Sequence, residues 1–407
     1  MRSWALRGFI HQCLSLGGLR FLGALCTLLV NVVLARTLPA EEIGHYFVAL
    51  GIAVFLAQIS TLGSAKLLIK KMAESGAATV SNRVLSAAII LAFLGALGVY
   101  GVFIALSSAF GFAVTLPFYA VLGMAWFYIV LAALHGLEVS WMSVASQYIA
   151  QPVLFLLLVS LSAMTLIESY ITSVYLNLAI LVVVMRRQGL YAARVSWRDV
   201  VGFGKDSRHY LVILVVSVAA GHLLLPFASQ WLSDEEVAAA GIVMRLCNVV
   251  FFVVVSVRLL LIPKMSRAVS CRPSPSLRYW CAMGALIPGT VFLFVLLLVA
   301  QFHTLIFSAF GEYYLPYSSL LIWAIFALIP AAILGWTEAY LMAVSREKVL
   351  TLSICLAVCI VFALTPMMLH QWGVLGAVVA IMGVKSLEAS IAGAIVVYQS
   401  LSNGRKT

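Results

Sequence analysis

About twelve apolar stretches, each roughly 18 to 25 residues long, follow one another along this chain of 407 residues. Each stretch is long enough to cross the hydrocarbon core of a bilayer as one helix. With 64% hydrophobic and only 10% charged residues, the composition leaves no room for a soluble domain. The sequence therefore predicts an all-α polytopic membrane protein, with spans that begin near Cys13, Ile43, Val84, Phe112, Val144, Leu166, Tyr210, Val237, Trp280, Tyr317, Val349 and Gly373.

The basic residues lie almost entirely on one side of these spans. Of 25 Lys and Arg, 21 fall in the termini or in the even-numbered connections, and only Arg36 falls in an odd-numbered one. The odd-numbered connections carry acidic residues instead, such as Glu41 and Glu235. By the positive-inside rule, we expect both termini to be cytoplasmic.

Several function classes are disfavoured by what the sequence lacks. The net charge of +11 is spread over short loops rather than gathered on a basic domain, so we expect no nucleic-acid partner. No phosphate-binding loop, nucleophile elbow or zinc-protease motif occurs, and the seven cysteines form no CxxC pair. The sequence thus predicts a protein that is not an enzyme and that needs no metal or cofactor.

Two short motifs recur at nearly the same offset. LPAEEI at 38–43 returns as LSDEEV at 232–237, and LLIKKM at 67–72 returns as LLIPKM at 260–265. Repeats of this kind are typical of transporters built from two similar halves. We therefore predict two six-helix bundles, 1–187 and 209–407, joined by a basic cytoplasmic linker at 188–208.

Charged residues inside the spans are candidates for the functional site, because an ion at membrane depth needs water, a partner or a ligand. We assign substrate binding in a cationic cleft to Arg20, Arg245 and Lys385, and coupling or gating to His222, Glu338 and Glu388. Simpler roles stay open. Lys385 and Glu388 are three residues apart and would neutralise each other, Glu338 would be interfacial, and His222 would be a polar helix contact.

Three segments resemble a known family. Residues 31–46 (NVVLARTLPAEEIGHY) resemble the N-terminal signature of Wzx-type oligosaccharide flippases of the polysaccharide transport family. Residues 61–74 resemble the end of that family's second helix and the loop after it, and residues 372–377 (WGVLGA) resemble the start of a late helix.

The resemblance implies membership in the multidrug/oligosaccharidyl-lipid/polysaccharide (MOP) superfamily. It implies a flippase that moves a polyprenyl-diphosphate-linked oligosaccharide to the outer leaflet of a bacterial inner membrane by alternating access, for O-antigen or another surface polysaccharide. The implied partners are that substrate, membrane lipids, a coupling ion (proton or sodium) and polysaccharide polymerase machinery. The alternatives are a cation-coupled multidrug exporter of the same superfamily and a membrane-embedded polymerase or glycosyltransferase.

The charge asymmetry predicts which loops an impermeant thiol reagent reaches. In a cysteine-less background, single cysteines at Ala40 and Ser233 should be labelled from outside intact cells, and one at Ala192 should be labelled only after the cells are opened. Labelling of position 192 in sealed cells would reverse the orientation.

Overall fold

The computed structural model describes residues 2–74, 78–110, 116–137, 139–162, 164–191, 193–270, 276–344 and 346–404, and within these ranges the side chains of some helical residues, such as 2–17 and 20, lie outside the description. All regular structure in these ranges is helical. The first half contains α1 Arg2–Thr37, α2 Ala40–Ser60, α3 Ser64–Glu74, α4 Ala78–Phe110, α5 Phe118–Gly136, α6 Ser140–Ala145, a π-helix Ser146–Ala150, α7 Gln151–Leu161 and α8 Leu166–Arg187. The second half contains α9 Trp197–His222, α10 Leu224–Ala228, α11 Asp234–Ser270, α12 Ser276–Ser308, a 3-10 helix Glu312–Tyr317, α13 Leu320–Leu334, α14 Trp336–Ala343, α15 Glu347–Trp372 and α16 Val374–Gly404.

Ten helical segments in the described part of the chain are long and apolar enough to cross a membrane. Two shorter apolar segments, Leu22–Thr37 and Tyr210–His222, fall where the first and seventh spans are predicted. The predicted class, an all-α multi-pass membrane protein with about twelve transmembrane helices, is therefore confirmed.

The chain forms two compact units. The first contains Met1–Val30 and Tyr46–Pro226, and the second contains Asn31–His45 and Phe227–Thr407. The last turns of α1 thus belong to the second unit, and α9 belongs to the first. The six-helix boundaries at 187 and 209 stay a prediction.

Helix α5 forms the centre of the first unit. Most of its residues are buried, and it packs against α3, α4, α6 and α8. Small residues let the surrounding helices approach closely, as they do in membrane helix packing generally. A Cβ atom at Gly95 of α4 would lie 2.1 Å from the carbonyl oxygen of Ser60 in α2, and one at Gly123 of α5 would lie 2.6 Å from the ring of Tyr175 in α8.

A buried polar network lies where the π-helix interrupts the span formed by α6 and α7. The Ser146 hydroxyl donates to Asn177 Oδ1 (2.7 Å), and the Asn177 amide donates to the Ser146 carbonyl (3.0 Å) and to Gln151 Oε1 (3.3 Å). The Gln151 amide donates in turn to the Ser173 hydroxyl (2.6 Å). Amide and hydroxyl side chains thus satisfy one another across α7 and α8, as polar groups at membrane depth must.

Close packing at Gly95 can be tested with a neighbour on the same helix. Gly95→Ala should destabilise the protein by about 1–3 kcal/mol, because the new methyl group meets the backbone of α2. Gly98→Ala is the control, since nothing lies within 4 Å of its added Cβ, and it should be neutral or stabilising by up to about 1 kcal/mol. Thermal unfolding of both variants in detergent measures the difference, and equal midpoints would contradict the packing.

Candidate functional site

The candidate site lies in the second unit and begins with one stripe along α11. Cys247, Phe251, Val254 and Arg258 recur at intervals of three and four residues, so they share one face of this helix. Cys247 and Val254 are fully buried, and Phe251 and Arg258 are partly buried. The stripe presents a guanidinium group three residues beyond the apolar span Asp234–Val255.

The guanidinium of Arg258 forms an ion pair with the carboxylate of Glu338 on α14. Arg258 Nη1 donates to Glu338 Oε2, and both side chains are about a quarter exposed, at 25% and 23%. A charge inside a span costs about 2.5–3.5 kcal/mol to insert. Pairing offsets that cost, so Glu338 is held by an interhelical contact inside the span Leu320–Ala343.

Two further charges on α16 complete the cluster. The ammonium of Lys385 lies 4.1 Å from the centre of the Phe251 ring, a distance that allows a cation–π interaction. Glu388 lies one turn further along α16, within electrostatic range of Lys385, Arg258 and Glu338. The charged cluster, defined as Arg258, Glu338, Lys385 and Glu388, therefore contains two cations and two carboxylates from three helices.

Ser386, next to Lys385, is built into the backbone of α13. Its hydroxyl donates to the Ala327 carbonyl and accepts from the Ala331 amide (3.2 Å). These two groups would bond each other in a regular helix, but Pro330 interrupts α13 beside them. The inserted hydroxyl satisfies both groups, so the helix that carries Lys385 and Glu388 is locked to the proline site of α13.

The structure places the predicted site residues in different surroundings. Lys385, Glu338 and Glu388 come together in the charged cluster. Arg245, thirteen residues before Arg258 on α11, points to the opposite face of that helix and donates to the Gly241 carbonyl (3.1 Å). His222 ends α9 in the first unit and is partly buried. Arg20 lies on α1, and its side chain lies outside the described residues.

Sequence reasoning missed Arg258, which it assigned to a cytoplasmic connection. Arg258 does lie three residues beyond the span, but α11 continues without a break to Ser270 and carries Arg258 beside Glu338, a pairing that was not predicted. The signal in the sequence was the stripe of Cys247, Phe251, Val254 and Arg258, a spacing that predicts a shared helix face.

The family-like signature at 31–46 has structural roles in this chain. The guanidinium of Arg36 donates to the carbonyls of Ala309 (2.7 Å) and Ser308 (3.2 Å), and so caps the end of α12. A Cβ at Gly44 would lie 2.2 Å from the Asp234 carbonyl, and His45 Nε2 lies 3.2 Å from the Asp234 carboxylate.

The recurring acidic motif marks the start of a helix. In its second copy, the Ser233 amide donates to the Glu236 carboxylate (3.0 Å), and the Glu236 amide donates to the Ser233 hydroxyl (3.3 Å). This is a capping box, which satisfies amides that a helix start leaves unpaired. Glu41 and Glu42 likewise occupy the first turn of α2, where carboxylates are favourable.

Tyrosines follow these acidic residues in the 3-10 helix. The Tyr313 hydroxyl hydrogen-bonds with the Glu235 side chain, and this contact raises the pKa of Tyr313 to about 12. Burial raises the pKa of the neighbouring Tyr314 to about 12 as well. The Tyr313 phenol therefore serves as a hydrogen-bonding group, whereas the buried Tyr314 side chain serves in packing and its hydroxyl has no hydrogen-bond partner among the described residues.

Among the residues that the structure describes, no group of three or more His, Cys, Asp or Glu side chains is arranged to hold a metal ion. The charged cluster has only two carboxylates, and the cations beside them oppose the binding of another positive charge.

Comparison with known proteins identifies the fold. No protein-family description and no curated protein matches the sequence. Among solved structures, the lipid II flippase MurJ in its inward closed conformation has a TM-score of 0.74 at 13% identity, over 94% of this chain and 87% of MurJ. An inward-facing MATE-family multidrug resistance transporter of the MOP superfamily has a TM-score of 0.68 at 14% identity, over 97% and 96%. A mutant of the MATE transporter VcmN of Vibrio cholerae has a TM-score of 0.61 at 16% identity, over 97% of both chains.

The ion pair in the charged cluster can be tested by a double-mutant cycle. Arg258→Met should destabilise the protein by about 1–3 kcal/mol, because it leaves Glu338 partly buried without its guanidinium. The double variant Arg258→Met, Glu338→Met should recover much of that loss. Arg83→Met, at an exposed arginine near the start of α4, is the control. The single variant Glu338→Met completes the cycle. If the loss of stability in the double variant equals the sum of the losses in the two single variants, Arg258 and Glu338 do not form a direct pair.

The comparisons and the ten apolar spans together establish what the chain is structurally. It is a multi-pass membrane protein with the fold that the lipid II flippase MurJ and the MATE transporters of the MOP superfamily share.

Proposed function

We propose that this protein is a flippase that moves a polyprenyl-diphosphate-linked oligosaccharide from the cytoplasmic to the outer leaflet of a bacterial inner membrane by alternating access. Its role would be in the synthesis of O-antigen or another surface polysaccharide. The fold supports a transporter rather than an enzyme, since the structures it resembles are a flippase and multidrug transporters. The signature at 31–46 favours the oligosaccharide substrate.

The charge balance at membrane depth is the observation that carries this proposal. Among the described residues, four charges lie more than one turn inside a span: Arg245, Glu338, Lys385 and Glu388. These are two cations and two carboxylates, and Arg258, just beyond its span, neutralises Glu338. Arg245 is the cation outside the cluster, and its partly buried guanidinium suits a diphosphate, which takes charge-assisted hydrogen bonds.

The main alternative, a cation-coupled multidrug exporter, would need carboxylates that can face a cationic drug. In the described residues of the first unit, no Asp or Glu lies more than one turn inside a span. In the second unit, the two such carboxylates lie in the charged cluster beside Arg258 and Lys385. This distribution favours an anionic substrate. A polymerase or glycosyltransferase is the remaining alternative, and the fold similarity to transporters disfavours it.

We propose a role in energy coupling for the two carboxylates of the cluster and, separately, for His222. Glu338 and Glu388 lie beside cations that would compete with an entering proton or sodium ion. If that ion replaced Arg258 as the partner of Glu338, the way in which α11, α14 and α16 are held together would change. The cluster would then gate the conformational change, while Arg20, Arg245 and Lys385 would bind the substrate.

Substitution of Arg245 tests the proposal in cells that lack the native gene. Loss of the gene should leave the lipid-linked glycan on the inner leaflet. Arg245→Ala should reduce glycan export about tenfold to a hundredfold, because a hydrogen bond to a charged group contributes about 1.5–3 kcal/mol. Arg245→Lys should retain part of it, since the charge survives but the planar fork is lost. Arg83→Ala, at an exposed surface arginine, should export normally.

Protein level and thermal midpoint are measured for every variant. Normal export by a well-folded Arg20→Ala, Arg245→Ala double variant would remove support for the cationic site. The multidrug exporter would be favoured if the protein exports cationic dyes and if deletion of its gene leaves glycan display unchanged.

A further inference from the structure

Side chains of α4 hold residues 189, 191 and 193, which lie between α8 and α9. The Asn82 amide donates to the Gly189 carbonyl (3.4 Å), and the Tyr191 amide donates to Asn82 Oδ1 (3.1 Å). The Ala193 amide donates to the Ser86 hydroxyl (2.9 Å). Leu190, between these contacts, is buried. The described residues on both sides of position 192 are therefore attached to α4 of the first unit.

Helix α9 continues this attachment. A capping box of Ser196 and Asp199 starts the helix, and the buried residues Val200, Phe203 and Ser207 form its inner face. Lys71 of α3 fixes that face, because its ammonium bonds the Asp206 carboxylate at 2.7 Å and lies 5.5 Å from the centre of the Phe203 ring.

The opposite face of α9 is basic, aromatic and exposed. At 100° per residue, Trp197, Arg198, Val201, Lys205 and Arg208 fall within an arc of about 100°, away from the buried residues. Trp197 is 64% exposed, and Tyr191, which precedes the helix, is 59% exposed. Arg194 is exposed between them. Within the described parts of the chain, none of these four cations forms an ion pair with a carboxylate.

The position of this face along the chain brings it to the membrane surface. The preceding span ends at Arg187, and the next apolar segment begins at Tyr210. Both ends must lie at the same side of the bilayer, so the intervening residues begin and end at that membrane surface. Exposed Trp and Tyr side chains favour the headgroup level, and Lys and Arg near it attract anionic lipid.

We propose that Tyr191, Arg194, Trp197, Arg198, Lys205 and Arg208 form a binding surface for the phosphate headgroups of anionic phospholipids. Charge complementarity supports this occupant, because four exposed cations without carboxylate partners in the described chain accompany two exposed aromatic side chains between two spans that end at the same membrane surface. This headgroup surface anchors α9, and it does so independently of what the protein transports.

Lipid retention by the purified full-length protein tests the headgroup surface. Native mass spectrometry from detergent, with phosphatidylglycerol and phosphatidylcholine added in equal amounts, measures the preference between an anionic and a zwitterionic headgroup. The wild-type protein should retain phosphatidylglycerol preferentially. The variant Arg194→Gln, Arg198→Gln should bind it about 25-fold more weakly, at about fivefold for each cation removed.

The matched control is Arg346→Gln, Lys348→Gln, which removes two exposed cations at the start of α15 in the second unit and should weaken phosphatidylglycerol binding much less than Arg194→Gln, Arg198→Gln does. Equal losses in the two double variants would overturn the proposal, because they would show a general effect of net charge. The wild-type protein supplies a second measurement, since its preference should fall steeply between 0.1 and 1 M salt, where the Debye length shortens from about 10 Å to about 3 Å.

A third arm separates phospholipid from other lipid phosphates. If a polyprenyl diphosphate binds this surface and phosphatidylglycerol does not, the surface belongs to substrate entry and the phospholipid proposal is wrong. If phosphatidylglycerol binds and the Arg194→Gln, Arg198→Gln variant loses it while glycan export persists, the surface is a lipid anchor. Absence of any preference in the wild-type protein would also overturn it.

Discussion

Polar groups at membrane depth must find partners inside the protein, because hydrocarbon offers none. Much of this structure follows from that requirement. The interrupted span of α6 and α7 is closed by an amide and hydroxyl network around Asn177. The proline interruption of α13 is closed by the hydroxyl of Ser386. In both places a neighbouring helix supplies the missing hydrogen bonds, so an irregularity in one helix determines how the next one packs.

The charged cluster applies the same requirement to ions. Arg258 and Glu338 stabilise each other across two helices, and Lys385 lies against the Phe251 ring. The cluster gives each charge a favourable environment, because each carboxylate lies beside a cation. It responds when one partner is removed or protonated, which leaves the other charge in a poor solvent. Ser386 links α16, which carries Lys385 and Glu388, to the proline site of α13. A change in the cluster can therefore alter the backbone of α13.

Different kinds of sequence information had different predictive value. The span positions and the class of fold follow from local composition, since any apolar stretch of about 20 residues is insoluble in water and stable as a helix in lipid. The recurring motif at 232–237 led to the prediction of two similar halves. In the structure it forms a capping box at Ser233 and Glu236. The signature at 31–46 indicated a family through residues that cap and pack, with Arg36 at the end of α12. Substrate choice does not follow from those contacts.

The sequence alone determined that this chain crosses a membrane many times and that Lys385, Glu388 and Glu338 lie within its spans, because hydrophobicity and charge are properties of short segments. Only the tertiary structure decided that Arg258, 80 residues from Glu338, is its partner, and that Arg245 on the same helix points elsewhere. A helix turns by 100° at each residue, so the face on which a charge falls depends on how that helix is rotated in the unit. That rotation is set by packing with helices distant in sequence, and no local pattern specifies it.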